Sequence, residues 1–243
     1  RRAEAETVSA KQVKLGLWEV RLEDMMGLAY LTDRLMSDAP ALAGLFREAF
    51  ADEFGFKLDD EIFRGTGAGQ CLGILTAGAT VSVAKETGQL ANTILYENVS
   101  KMWDRVLPRS KARGVWLTNV ECGTQLRSMT IGTGTSAALV YMPPGGISGS
   151  QYGTIFGRPV IEIEHASALG TKGDLFFADL SQYKLVRKGG IQQDESIHVR
   201  FIYGERTLRW MTRVNGAPKL KSAITPYKGA STLSTFVTLD TRA

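Results

Sequence analysis

The spacing of apolar residues changes character partway along the chain. Leu42, Leu45, Phe46, Ala49, Phe50, Phe54, Leu58 and Ile62 recur at three- and four-residue steps, which is one face of an α-helix. The run predicts a helix over 40–64, about 37 Å long at 1.5 Å per residue. Ser37-Asp38-Ala39-Pro40 starts it: Asp38 is a capping side chain, and Pro40 sits where a missing N–H costs nothing. Arg64-Gly65 ends it, and Gly65, Gly67 and Gly69 turn the chain out of the helix. Upstream, Val13, Leu15, Leu17 and Val20 alternate with polar residues as an extended ribbon over 1–22, and Leu28 to Met36 reads as a short helix. Downstream, Thr93 to Leu107 forms an amphipathic helix stopped at Pro108, Val115-Trp116-Leu117 a buried strand, and Val120 to Met129 a third helix. Gly132 to Gly153, rich in Gly, Ser, Thr and Pro, reads as a mobile loop around a short strand.

Beyond that loop the period becomes two. Strands are predicted at 160–164, 175–177, 183–186, 197–203, 206–214 and 233–239, with Gly204-Glu205 as a hairpin tip. Helices first and strands later indicate an α+β fold rather than a βαβ series. No internal repeat is visible.

Length and composition narrow the class without naming a function. The 243 residues, 44% apolar and 22% charged, suffice for one large domain or two packed closely together. No stretch approaches the roughly 20 apolar residues that span a bilayer. The first residues lack both Met and an apolar signal-peptide core, so the chain reads as part of a longer, processed or truncated one. Cys71 and Cys122 are too few for a disulfide framework and suit a reducing compartment. The net charge of +4 hides an asymmetry. Arg21 to Arg64 holds ten acidic residues against five basic, and Ser181 to Ala243 eleven basic against four acidic. The two segments are either solvated faces or surfaces that meet other molecules, neighbouring copies or nucleic acid.

Catalytic and ligand motifs fail one by one. FRGTGAGQCLGIL lacks the Lys-Ser/Thr of a phosphate-binding P-loop, and Gln70 occupies the third glycine position of a dinucleotide fingerprint. The loop also follows a helix, whereas either motif leaves a strand and enters one. His165 and His198 have no ligand-spaced partners, so no metal site is expected. Gly146-Ile147-Ser148-Gly149-Ser150 misplaces the last glycine of a nucleophile elbow. Asp59-Asp60-Glu61 points in different directions on a helix and reads as a solvated face. Trp18, Trp103, Trp116 and Trp210 fit packing better than base stacking. No catalytic residue, metal or cofactor is expected.

The order of the pieces carries more than any one motif. An extended ribbon is followed by YLTDRLMSDAPALAGLFREAFADEFGFKLDDEIFRGTGAGQCLGIL, GVWLTNVECGTQLRSM, GRPVIEIEHASALGTKGDLFFADLSQYKLVRKG and FIYGERTLRWMTRVNGAPKL. From about Lys14 to Leu220 this series resembles the major capsid proteins of tailed bacteriophages, which have the Johnson (Hong-Kong-97-like) fold. In that family an SDAP turn starts the spine helix and a GTG..Q..GIL passage ends it. A G.PV strand then precedes a GD…D.S.Y hairpin. Arg213-Val214-Asn215-Gly216-Ala217-Pro218 matches the closing segment, with Asn for the usual Asp.

The resemblance implies an α+β capsid fold in three parts. Residues 1–22 would be the distal part of an extended loop over a neighbouring subunit. Residues 23–72 with 181–214 would form a peripheral domain on spine helix 40–64, and 73–180 with 215–243 an axial domain. It implies a structural head protein, not an enzyme, self-assembling into pentamers and hexamers around double-stranded DNA. Scaffolding and portal proteins would be partners, with assembly in the bacterial host cytoplasm and residence in the virion; no membrane is involved. Asp38, Pro40, Gly65, Gly67 and Gly69 would shape the spine, and Arg206, Arg209 and Arg213 are candidates for subunit contacts. Some members form Lys–Asn cross-links assisted by Glu. The corresponding positions here, Ile197 and Gly204, cannot do that chemistry, so no cross-link is expected. Two alternatives stand: an encapsulin-type compartment shell on the same fold, and a nucleotide or small-molecule enzyme using the Gly65–Gly69 loop.

Overall fold

The computed structural model describes residues 18–38, 42–131, 138–144 and 152–242. It has two main sheets joined by one long helix. The three-stranded sheet orders β1 (Glu23–Thr32), β10 (Glu205–Pro218) and β9 (Tyr183–Arg200) as β1-β10-β9, all antiparallel. Helix α2 (Leu42–Arg64) packs on it, Phe50 stacking on Trp210 at 4.0 Å between ring centroids. Leu31, Phe54, Leu208 and Trp210 are the buried centre of this layer.

β1 corrects the helix expected from Leu28 onward: only α1 (Asp33–Asp38) is helical there. Met25, Ala29 and Leu31 face the core under α2, while Met26, Leu28 and Tyr30 point outward and stay about half exposed. With apolar residues on both faces, the period of two leaves no mark in the sequence, and pairing with β10 decides the conformation. β9 also differs from expectation. The strands expected at 183–186 and 197–203 belong to one 18-residue strand, after which Phe201–Tyr203 forms a 3-10 turn. Gly204 then takes a left-handed φ of 63° at the hairpin tip, where the sequence placed it.

The second sheet has six strands in the order β2-β11-β8-β3-β7-β6. They are β2 (Val81–Val83), β11 (Phe236–Leu239), β8 (Leu175–Ala178), β3 (Val115–Thr118), β7 (Arg158–Glu162) and β6 (Thr154–Ile155). Every residue of β8 is buried, because both faces of the sheet are covered. Leu175 and Phe177 join a core with Val99 and Met102 of α3 (Tyr96–Asp104) and Leu126 of α5 (Gly123–Ser128). Phe176 and Ala178 face the other way, onto Phe63 at the end of α2 and Ile74.

Several boundaries shift. The helix expected at 93–107 is only Tyr96–Asp104, because the Asn98 side chain accepts the Leu95 N–H and sets the first turn there. Pro108 does more than stop it, as it opens the short helix α4 (Pro108–Lys111) from its first position. The third helix begins as a 3-10 turn over Val120–Cys122, and the last strand narrows to Phe236–Leu239. Of the 132–153 loop, 132–137 and 145–151 lie outside the described residues. Strand β5 (Ala138–Leu139) pairs there with β4 (Thr130–Ile131).

Candidate functional surfaces

The glycine passage after α2 is a junction between the two sheets. Gly65 N–H closes the helix onto Glu61 O at 2.8 Å, and a side chain at Gly65 would collide with the carbonyls of Glu61 and Cys71. Gly67 and Gly69 take left-handed φ values of 79° and 70°, which favour glycine. Gly73, the fourth glycine of the passage, is as constrained: a Cβ there would meet Gly65 N at 2.5 Å and Arg64 backbone atoms at 2.7–2.8 Å. Ile74 and Leu75 then bond back to Ile62 and Phe63 at 2.8 and 3.0 Å, while Leu72 N–H donates to Gly216 O of β10 at 2.8 Å. The amides of Gly65, Gly67 and Gly73 are spent on carbonyls of the junction. A phosphate would find them occupied, which removes the physical basis of a nucleotide cradle. Asp38 is the last residue of α1, and Pro40 lies outside the described residues.

One buried and one half-buried group support this junction. Cys71 is fully buried beside Glu61 and Tyr183, and burial, then the Glu61 charge, pushes its thiol up to about 12. Burial raises the Tyr183 phenol as well, and its hydroxyl donates to Leu72 O at 3.0 Å. Both groups stay neutral and act as packing rather than as acid or base. Asp60 lies 4.0 Å from His165, and Glu61 accepts the Cys71 N–H. Among the described residues no cluster of three or more His, Cys, Asp or Glu is placed to hold a metal.

The three arginines on β10 are already engaged within the subunit. Arg206 donates to Asp33 at 2.6 Å and Glu195 at 2.8 Å, Arg209 to Asp194 at 2.6 Å, and Arg213 to Asp24 at 2.6 Å. Arg209–Asp194 and Arg213–Asp24 are directly opposed cross-strand pairs. Asp24 and Asp33 of the acidic segment thus meet Arg213 and Arg206 of the basic one, and Asp194 and Glu195 answer Arg209 and Arg206 from within the basic segment itself.

One pair went unread in the sequence: Arg242 with Asp174, both side chains fully buried. Arg242 also donates to Thr93 O at 2.7 Å and Asp240 O at 3.0 Å, and Asp174 accepts the N–H groups of Gly170 at 2.9 Å and Leu175 at 2.7 Å. The bonds tie the chain beyond β11 to the loop that enters β8 and to the chain just before α3. Nothing in the local spacing of either residue marks it.

Trp116 and Trp210 are fully buried, as packing residues should be. Trp103 is partly buried against the six-stranded core and carries the Lys111 ammonium 4.9 Å from its ring centroid. Trp18 lies under the Lys184 ammonium at 5.4 Å. Among the described residues no helix is long and apolar enough to cross a membrane.

A family model described as the phage capsid family matches residues 2–229. The fold is similar to the capsid of an empty GTA particle, with a TM-score of 0.70 at 15% identity, covering 91% of this chain and 74% of the other. It is also similar to a chain from Mycobacterium phage Adephagia, with a TM-score of 0.58 at 14% identity, covering 90% and 71%. The holo-SrpI encapsulin complex of Synechococcus elongatus PCC 7942 aligns with a TM-score of 0.53 at 12% identity, over 90% and 73%. No curated protein sequence matches.

Proposed function

The chain belongs to the phage capsid family and is a major capsid protein with the Hong-Kong-97-like fold, and from that premise we propose how it works. It self-assembles into pentamers and hexamers that close an icosahedral shell around double-stranded DNA in a tailed phage or prophage. The observation that carries this reading is the family match running through both sheets and the helix between them. A shell subunit needs surfaces rather than an active site, and its role is structural, not enzymatic. Residues 23–72 with 181–214 are assigned to the peripheral domain and 73–180 with 215–243 to the axial domain. Residues 1–22 belong to the loop that reaches a neighbour.

Assembly takes place in the host cytoplasm with scaffolding and portal proteins as partners, and the finished product is the virion. Contacts to packaged DNA are non-specific and weaken as salt rises. No Lys–Asn cross-link forms, because Ile197 and Gly204 occupy the positions that chemistry requires. Electron microscopy of the expressed full-length protein tests assembly: uniform closed shells support it, and a persistent soluble monomer overturns it. Shells that enclose protein cargo in place of DNA would move the assignment to an encapsulin-type compartment.

A further inference from the structure

Once intramolecular pairs are set aside, one cluster of unspent positive charge lies around α4. Arg109, Lys111 and Arg113 fall within five residues on and just after α4, and Arg158 joins them by donating to Gly114 O at 2.8 Å. Among the described residues none of these four has an acidic partner. Beside them stands an aromatic stack. Lys111 lies over Trp103, and the Phe156 ring stacks on Trp103 at 5.3 Å. Phe156 is 37% exposed and holds a φ of 50°, a conformation a side-chain-bearing residue rarely adopts. An exposed aromatic kept in a strained backbone beside unpaired cations has the composition of an interface anchor.

The exposed side of α2 has the complementary composition. Leu45, Glu48, Asp52, Phe56 and Asp59 follow one another at three- and four-residue steps, so they line one stripe. Phe50 and Phe54 carry the opposite side of the helix to the sheet. Glu48, Asp52 and Asp59 are exposed and form no ion pair among the described residues, while Leu45 and Phe56 remain 62% and 43% exposed.

We propose that the basic–aromatic patch around α4 docks onto the acidic stripe of α2 in a second copy of this chain. The pairing rests on the assembly reading above. It joins two different surfaces, as a ring-forming heterologous interface must. Acidic carboxylates meet the four cations, and Leu45 and Phe56 meet the aromatic stack. Nucleic-acid phosphates would answer the cations around α4 but would leave its aromatic half exposed and the acidic stripe of α2 without a partner. Complementary charge of this kind fixes register and excludes wrong contacts.

Charge reversal in the full-length protein tests it. Arg109→Glu with Arg113→Glu, and separately Glu48→Lys with Asp52→Lys, should each abolish shells seen by electron microscopy and sedimentation. Circular dichroism and thermal melting of the subunit should be unchanged, and all four changes in one chain should restore shells. Shells from either reversed pair, or a well-folded fourfold variant that does not assemble, overturn the pairing. Shells from the Arg109→Glu, Arg113→Glu variant that have lost nucleic acid would reassign the patch to phosphate contact. A wild-type chain that never assembles refutes the capsid-assembly reading itself, and the pairing falls with it.

Discussion

Replacing Arg242 by Ala removes one member of an ion pair whose side chains are both fully buried. Asp174 would keep two backbone donors, Gly170 and Leu175, but would lose its countercharge, and the carbonyls of Thr93 and Asp240 would each lose a donor. Breaking a buried pair from one side costs about 3–5 kcal/mol, because a desolvated charge is left behind. For a chain of this size, each kcal/mol is worth about 2–4 °C, so the melting temperature should fall by about 6–20 °C. Urea unfolding of the unassembled subunit measures the loss directly. The loss should persist in 1 M salt, which screens exposed pairs and leaves buried ones nearly untouched. A double-mutant cycle with Asp174→Asn and Arg242→Met isolates the pair, and the double variant should be more stable than the two single losses predict. A loss below about 1 kcal/mol, the worth of an exposed pair, or strict additivity would refute the reasoning.

Glycine substitutions along the junction should separate sharply. Gly73→Ala drives a methyl into the backbone of Arg64 and Gly65 and should prevent a cooperative thermal transition; Gly69→Ala meets no neighbouring atom and should cost only about 1–3 kcal/mol for its left-handed φ. Trp210→Ala should cost about 3–5 kcal/mol in denaturant unfolding, and a cycle with Phe50→Ala should show about 0.5–1.5 kcal/mol of coupling from the stacked rings. Cys71 and Cys122, buried and pushed up to about 12 and about 11, should resist thiol reagents at pH 8 until the chain unfolds. Their folded-state values lie above the ordinary 9.0. The stability they contribute is therefore intact below about pH 9 and declines as pH rises towards 11–12. Thermal melts between pH 8 and 11 should show a smaller decline in a Cys71→Ala variant than in the parent chain.

How far the fold was legible depended on whether one face of each element was distinct from the other. Helix α2 carried its phenylalanines at helical spacing, and its predicted end at Arg64 coincides with the observed one. β1 was opaque because Met26, Leu28 and Tyr30 on the open face are as apolar as Met25, Ala29 and Leu31 on the core face. β9 was read as fragments because its middle, from Arg187 to Glu195, is polar and holds the Gly189-Gly190 pair, with Gly189 at a φ of 75°. Its register shifts against β10 between Met211 and Arg213. Ile191 alone of those residues packs on the Leu31–Phe54–Leu208–Trp210 core, so the backbone ladder of the hairpin does most to hold them extended.

The surfaces were less legible than the fold, and the cause lies in the register of the three-stranded sheet. Counted by segment, the acidic stretch from Arg21 and the basic stretch from Ser181 look like two faces awaiting partners. Counted by cross-strand position, Asp24 stands opposite Arg213 and Asp194 opposite Arg209, with Arg206 shared between Asp33 and Glu195. Arg213 and Asp24 are separated by 189 residues in sequence, a distance at which no local pattern can reveal that they touch. Charges that pair within a subunit are unavailable to its neighbours. Surfaces whose charges the fold leaves unanswered keep theirs, and the stripe on α2 and the cations around α4 are two of them among the described residues. An interface search that starts from net charge alone is drawn to β10, whereas the sheet register directs it to the outer side of the long helix and the rim of the six-stranded sheet.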